Sequence, residues 1–134
     1  MTNYKQIQMD KTASSKQYDL EGRTLEFAGN VRRFVKKLPK TIGNLEDAKQ
    51  LIRSSGSIGA NYIEANEALS KKDLCVRARI ARKEAKETRY WLKLIDAADD
   101  PGLEKERDLL VQESSELLKI LSSIVNKVTE RVEP

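Results

Sequence analysis

Histidine is absent from the chain. That removes imidazole acid–base chemistry and every metal site that needs a ring nitrogen, including the Glu-x-x-His pattern of ferritin-like bundles. Cysteine occurs once, as Cys75. No intramolecular disulfide can form, which suits a reducing compartment. With no histidine to activate it, Cys75 reads as a packed thiol, although its place near a helix start would favour a thiolate. Proline (3), glycine (6) and aromatic residues (5%) are all scarce. Uncharged runs fall well short of the roughly 20 residues that span a bilayer. The polar opening, Met1 to Tyr18, has no apolar signal core. A cytoplasmic protein with no membrane contact is expected. Phosphate loops, dinucleotide fingerprints and zinc spacings are missing as well. No cofactor and no catalytic residue can therefore be named.

What remains is charge and helix. Charged residues make up 34% of the 134 positions and apolar residues 39%, the mixture of amphipathic helices that each wet one side. The length fits one domain. A polar segment with little to bury, residues 1–17, is expected to be a flexible tail. From Asp19, Leu20, Phe27, Val31, Phe34 and Leu38 recur at helical steps, closed by Pro39 and Gly43. A second helix is expected over Leu45–Leu69, with Asn44 as N-cap and Glu46 and Asp47 on its dipole. Its apolar line is Leu45, Ala48, Ile52, Gly59, Tyr62, Ile63 and Leu69. Gly56 and Gly59 each cost a helix about 1 kcal/mol against alanine, which points to close approach of a neighbouring helix. Ser70 to Asp73 forms a capping box before a third helix that extends to about Ala98. Its seam is Leu74, Ala78, Ala81, Ala85, Thr88, Leu92 and Ile95, and its small residues suggest packing opposite the two glycines. Asp100 and Pro101 open a fourth helix with Leu103, Leu110, Leu117, Leu121, Ile124 and Val128 along one stripe. Short connections between long helices make antiparallel neighbours. The expected fold is all-α, an up-down-up-down four-helix bundle over residues 18–132.

Two faces of this bundle exceed what a monomer needs. At about 100° per residue, Arg79, Arg82, Lys83, Lys86, Arg89 and Lys93 share one flank of helix 3. Between Ser70 and Ile95 there are nine basic residues and three acidic ones, a surplus of six in a chain whose net charge is +4. Such a row suits a phosphate backbone. Its plainer alternative is a solvated face laced by pairs such as Lys83–Glu87. The other flank carries Val76, Ile80, Trp91 and Leu94 beside Glu84 and Glu87. One helix of a monomeric bundle does not require so wide an apolar surface, so contact between subunits is expected there. On helix 2, Arg53, Ser57, Asn61 and Glu64 make a polar line. Arg and Glu on adjacent helices satisfy one another, so these four with Glu84 and Glu87 are expected to form a structural network.

The stretch Arg53–Ala68, RSSGSIGANYIEANEA, and the stretch Arg82–Leu92, RKEAKETRYWL, occur together at a telling separation. With Tyr18–Glu21 and Lys37–Lys40, they resemble the bacterial four-helix-bundle family whose first members are encoded in intervening sequences of 23S ribosomal RNA genes. The resemblance spans roughly Tyr18 to Val128. It implies antiparallel bundles that assemble as rings, typically homopentamers, and a more distant kinship with the accessory protein of diversity-generating retroelements. It implies no catalytic residues.

The leading expectation is thus a non-enzymatic, self-assembling protein that contacts RNA or DNA through helix 3. An alternative is a scaffold that binds a protein encoded nearby without nucleic acid. The remote alternative is a magnesium-dependent nucleotide phosphohydrolase, in which Glu64 with Glu67 and Glu84 with Glu87 would supply oxygen ligands. Against it, Glu113 and Glu116 repeat the spacing by chance, and Lys83 and Lys86 compete for the carboxylates.

Overall fold

The computed structural model describes residues 19–132, with side chains to Thr129, so the expected tail lies outside the described residues. Four helices follow in order: α1 (Leu20–Lys36), α2 (Ile42–Asn66), α3 (Lys71–Leu94) and α4 (Pro101–Val132). No strand occurs among the described residues. Each helix packs on its chain neighbours, and α1 returns to α4, which closes the antiparallel bundle.

Phe27, Val31 and Phe34 from α1 meet Leu51 and Ile58 from α2, Ala81, Ala85 and Leu92 from α3, and Leu110, Leu117 and Leu121 from α4. Each fully buried large side chain is worth about 1.5–3 kcal/mol, whereas an exposed ion pair contributes about 0–1. The apolar seam therefore carries stability, and polar contacts select alignment. Among these, Arg23 on α1 grips Glu113 on α4 with two hydrogen bonds of 2.7 and 2.8 Å. That hydrogen bond raises the guanidinium pKa above its ordinary value.

The helix starts follow local chemistry. Asp19 accepts from the Gly22 amide, Ser70 from Asp73, and Asp100 from Gly102 and Leu103. α2 departs from expectation. Its N-cap is Thr41, whose hydroxyl accepts from the Asn44 amide at 3.1 Å. Gly43 therefore lies inside the helix, and Glu46 and Asp47 sit past its first turn. Asn44 itself is buried. Its Nδ2 donates to the carbonyls of Pro39 (3.0 Å) and Asp96 (2.9 Å), and its Oδ1 accepts from the Asp96 amide at 2.9 Å. One side chain so ties the α1–α2 connection to the end of α3. With the Asp96 amide held there, α3 ends at Leu94 rather than Ala98. Arg107 also donates to the Ile95 carbonyl at 2.6 Å.

The buried line of α2 differs too. It runs through Asn44, Ala48, Leu51, Ser54, Ser55, Ile58 and Ala65, while Leu45, Ile63 and Leu69 are exposed. Ser54 and Ser55 fit the core because their hydroxyls bond back to the carbonyls of Leu51 and Ile52, which hides their polarity.

Gly56 and Gly59 of α2 face α1, not the alanines of α3. A Cβ on Gly59 would stand 2.7 Å from Thr24 Oγ1 and 3.1 Å from Thr24 Cβ. Thr24 is buried, β-branched and held by hydrogen bonds to the carbonyls of Leu20 and Glu21, so it cannot turn aside. A Cβ on Gly56 would meet only Arg32 Nη2 at 3.5 Å. Gly59→Ala is therefore expected to destabilise the fold by about 1–3 kcal/mol through overpacking. Gly56→Ala should gain up to about 1 kcal/mol of helix propensity. Urea melts followed by circular dichroism check both, and equal effects at the two sites would contradict this geometry.

Candidate interface surfaces on helix α3

α3 lies between α2 and α4 and buries Cys75, Ala78, Ala81, Glu84, Ala85, Thr88 and Leu92. Alanines dominate because both neighbours come close. What the seam leaves outside divides into two flanks.

The flank toward α4 and solvent holds the six cations. Arg79, Lys83, Lys86 and Lys93 are exposed, and Arg82 and Arg89 are half-buried. Among the described residues none of the six joins an ion pair. The anticipated Lys83–Glu87 pair does not form. Two of the arginines are held by neutral hydroxyls of α4: Arg89 donates to Ser115 at 3.3 Å and Arg79 to Thr129 at 3.4 Å. A hydroxyl orients a guanidinium without cancelling its charge, so the field of the row points outward. Thr129 also meets the Cys75 sulfur at 3.8 Å, which makes Cys75 a packed thiol.

The flank toward α2 is apolar with a charged seam beneath it. Val76 (54%) and Leu94 (47%) are exposed, while Ile80 and Trp91 are half-buried. Trp91 packs against the core, yet its Nε1 is buried without a hydrogen-bond partner. Tyr90, which the residue pattern did not single out, is 60% exposed and meets Trp91 edge to face at 5.3 Å.

Of the expected polar network, three members come together. Arg53 Nη2 donates to Glu87 Oε1 at 3.3 Å, and Arg53 Nη1 lies 3.4 Å from Glu84 Oε1. The second contact is an ion pair without hydrogen-bond alignment, so Glu84 Oε1 remains buried and unsatisfied. Ser57 and Asn61 turn to their own helix, bonding the carbonyls of Arg53 and Ser57. Glu64 is exposed and, among the described residues, has no such partner. The buried polar link between α2 and α3 is elsewhere: the hydroxyls of Ser54 and Thr88 hydrogen-bond at 2.9 Å. Helical spacing puts Thr88 on the seam, whereas nothing in its residue type marks Ser54 as core.

A guanidinium thus stands where a cation shared by Glu84 and Glu87 would sit. Among the described residues no cluster of acidic groups is arranged to hold a metal ion. Among them, too, no helix is long and apolar enough to cross a membrane. A shallow cleft of about 650 Å³ on α4, lined by Leu118, Lys119, Ser122, Ser123, Asn126 and Lys127, is formed by a single helix face.

The protein is an antiparallel four-helix bundle whose distinctive surfaces are two flanks of one helix. Residues 16–123 match the sequence model of the 23S rRNA-intervening sequence protein family. The chain belongs to that family. It is similar to a protein of unknown function from the S23 ribosomal protein family of Bacteroides thetaiotaomicron VPI-5482. The two are 32% identical, with 83% of this chain and 98% of the other covered and a TM-score of 0.69. No curated protein matches the chain.

The geometry makes Glu84 depend on Arg53. Arg53→Met should cost about 1–3 kcal/mol by leaving a buried carboxylate uncompensated. Adding Glu84→Leu should recover most of that loss, because an apolar replacement of both partners is close to neutral. A double-mutant cycle by urea denaturation measures the coupling, and additive losses would show that the pair does not interact.

Proposed function

We propose that this is a non-enzymatic, self-assembling helical protein that binds the phosphate backbone of a nucleic acid through α3. The carrying observation is the cation row itself. Six basic side chains share one flank, and none is ion-paired among the described residues. Long basic side chains on a solvated helix are commonplace, but they are ordinarily interleaved with carboxylates. Here the two acids of the middle of α3, Glu84 and Glu87, are turned toward Arg53 on the opposite flank.

Self-assembly rests on that opposite flank. Val76 and Leu94 expose apolar surface on the flank that also carries half-buried Ile80 and Trp91. Apolar surface of this width on one helix suits a contact between proteins, and a second copy seated on this flank covers it. Family resemblance favours a ring of five. A reducing, cytoplasmic setting suits the lone buried thiol.

The test is light scattering with an absorbance ratio on freshly purified protein, followed by gel shift. A mass of several subunits is expected. Val76→Lys with Leu94→Lys should lower that mass while helicity persists, since both side chains are exposed within one subunit. A monomeric wild type would refute the assembly. For nucleic acid, the log–log salt slope should be roughly −4 to −5 if all six cations meet phosphates. Reversing Arg79, Arg82, Lys86 and Arg89 to Glu should abolish the shift. No shift at low salt would remove the nucleic-acid reading and leave the scaffold, whose partner pull-down from the native host would then reveal.

A further inference from the structure

We infer that the α3 flank takes an unpaired strand rather than a duplex, with Tyr90 as a base-stacking residue. This rests on the nucleic-acid reading above and specifies the class of ligand.

Tyr90 is the exposed aromatic ring among the cations. On a helical projection of about 100° per residue, it falls within the arc occupied by Lys83, Arg79 and Lys86. Lys86 lies one turn before it and Lys93 about one turn after, with Arg89 adjacent in sequence. Its ring is 60% exposed. It is also held in place, because Trp91, half-buried against the core, meets it edge to face at 5.3 Å and 77°. An aromatic anchored on one side and open on the other is a platform, whereas a freely turning side chain would lose entropy on binding.

The surroundings decide between strand types. A duplex is read by an element that enters a groove, and the B-form major groove is about 12 Å wide. α3 cannot enter, because α2 and α4 pack on both of its sides and each helix is itself about 10–12 Å across. The major groove of A-form RNA is narrower still, and its bases are shut inside the stack. Against either duplex, Tyr90 would face a wall of sugar and phosphate with nothing to stack on. A single strand presents a base face and a phosphate together. The row from Arg79 to Lys93 extends about 21 Å along the helix, with cations on both sides of the ring. That is the combination of charged track and stacking aromatic found in sequence-tolerant single-strand binding.

Fluorescence anisotropy at low salt tests this, using a labelled oligouridylate of about 12 nucleotides and an RNA duplex of equal length. Wild type should bind the single strand more tightly than the duplex. Tyr90→Ala should weaken single-strand binding about 5- to 150-fold, in keeping with the loss of one stacked base. Tyr90→Phe should stay within about twofold, since the ring face is kept. Duplex binding should not respond to either change. Light scattering on Tyr90→Ala must return the wild-type mass; a fall in mass alongside lost binding would assign the ring to assembly and overturn the inference. Equal affinity for both probes, or Tyr90→Ala binding like wild type, overturns it while the phosphate track stands. Failure of both probes to bind removes the two together.

Discussion

The close embrace of α3 by both neighbours governs the rest of the structure. Ala78, Ala81 and Ala85 form the middle of its buried seam, and only such small side chains let α2 and α4 come so near. The buried seam takes one side of the helix. The remainder must face outward, and on this chain the remainder is not the mixed-charge surface of an ordinary bundle helix. Cations take one part, aliphatic and aromatic side chains the other. The division follows from packing: the α2 side of the seam holds Glu84 and Thr88, which face Arg53 and Ser54, and so draws the acids of α3 to that edge. The α4 side meets hydroxyls at Ser115 and Thr129. Charge is cancelled along one edge and left standing along the other.

The number, order and antiparallel arrangement of the helices are legible because the buried lines of α1, α3 and α4 follow the apolar stripes that helical spacing marks. α2 breaks that pattern, and its buried line was displaced by about one residue. Ser54 and Ser55 are in the core, whereas Leu45, Ile63 and Leu69 are out. A serine whose hydroxyl returns to its own helix carbonyl behaves as a small apolar residue, and no pattern of residue types distinguishes it from a solvated one. Asn44 was misjudged for a related reason. An asparagine near a helix start is ordinarily a cap, and its bond to Asp96, 52 residues on, emerges only once two loops meet.

The flanks were more legible than the contacts within them. Angular position follows from helical period alone, so the six cations and the four apolar residues share their flanks as the spacing requires. Hydrogen-bond partners do not follow from period. Arg53, Ser57, Asn61 and Glu64 are spaced as a line, yet Ser57 and Asn61 satisfy themselves within one turn of their own helix. The residue pattern does not single out Tyr90. Its exposure depends on Trp91, and not Tyr90, taking the place against the core.

The two flanks meet at Tyr90 and Trp91, and under the proposed function that junction would relate assembly to binding. Trp91 leans toward the apolar flank, with an indole nitrogen that lacks a partner. Tyr90 leans toward the cations and is steadied by Trp91. A copy seated on the apolar flank would cover the part of Trp91 left open by the core and lie close to the tyrosine ring. Subunits arranged in a ring would also repeat the cation row at regular intervals, so that a strand too weakly held by one row is held by several through raised effective concentration. In that arrangement the apolar flank acts on the ligand without touching it: it sets how many rows a single strand can reach.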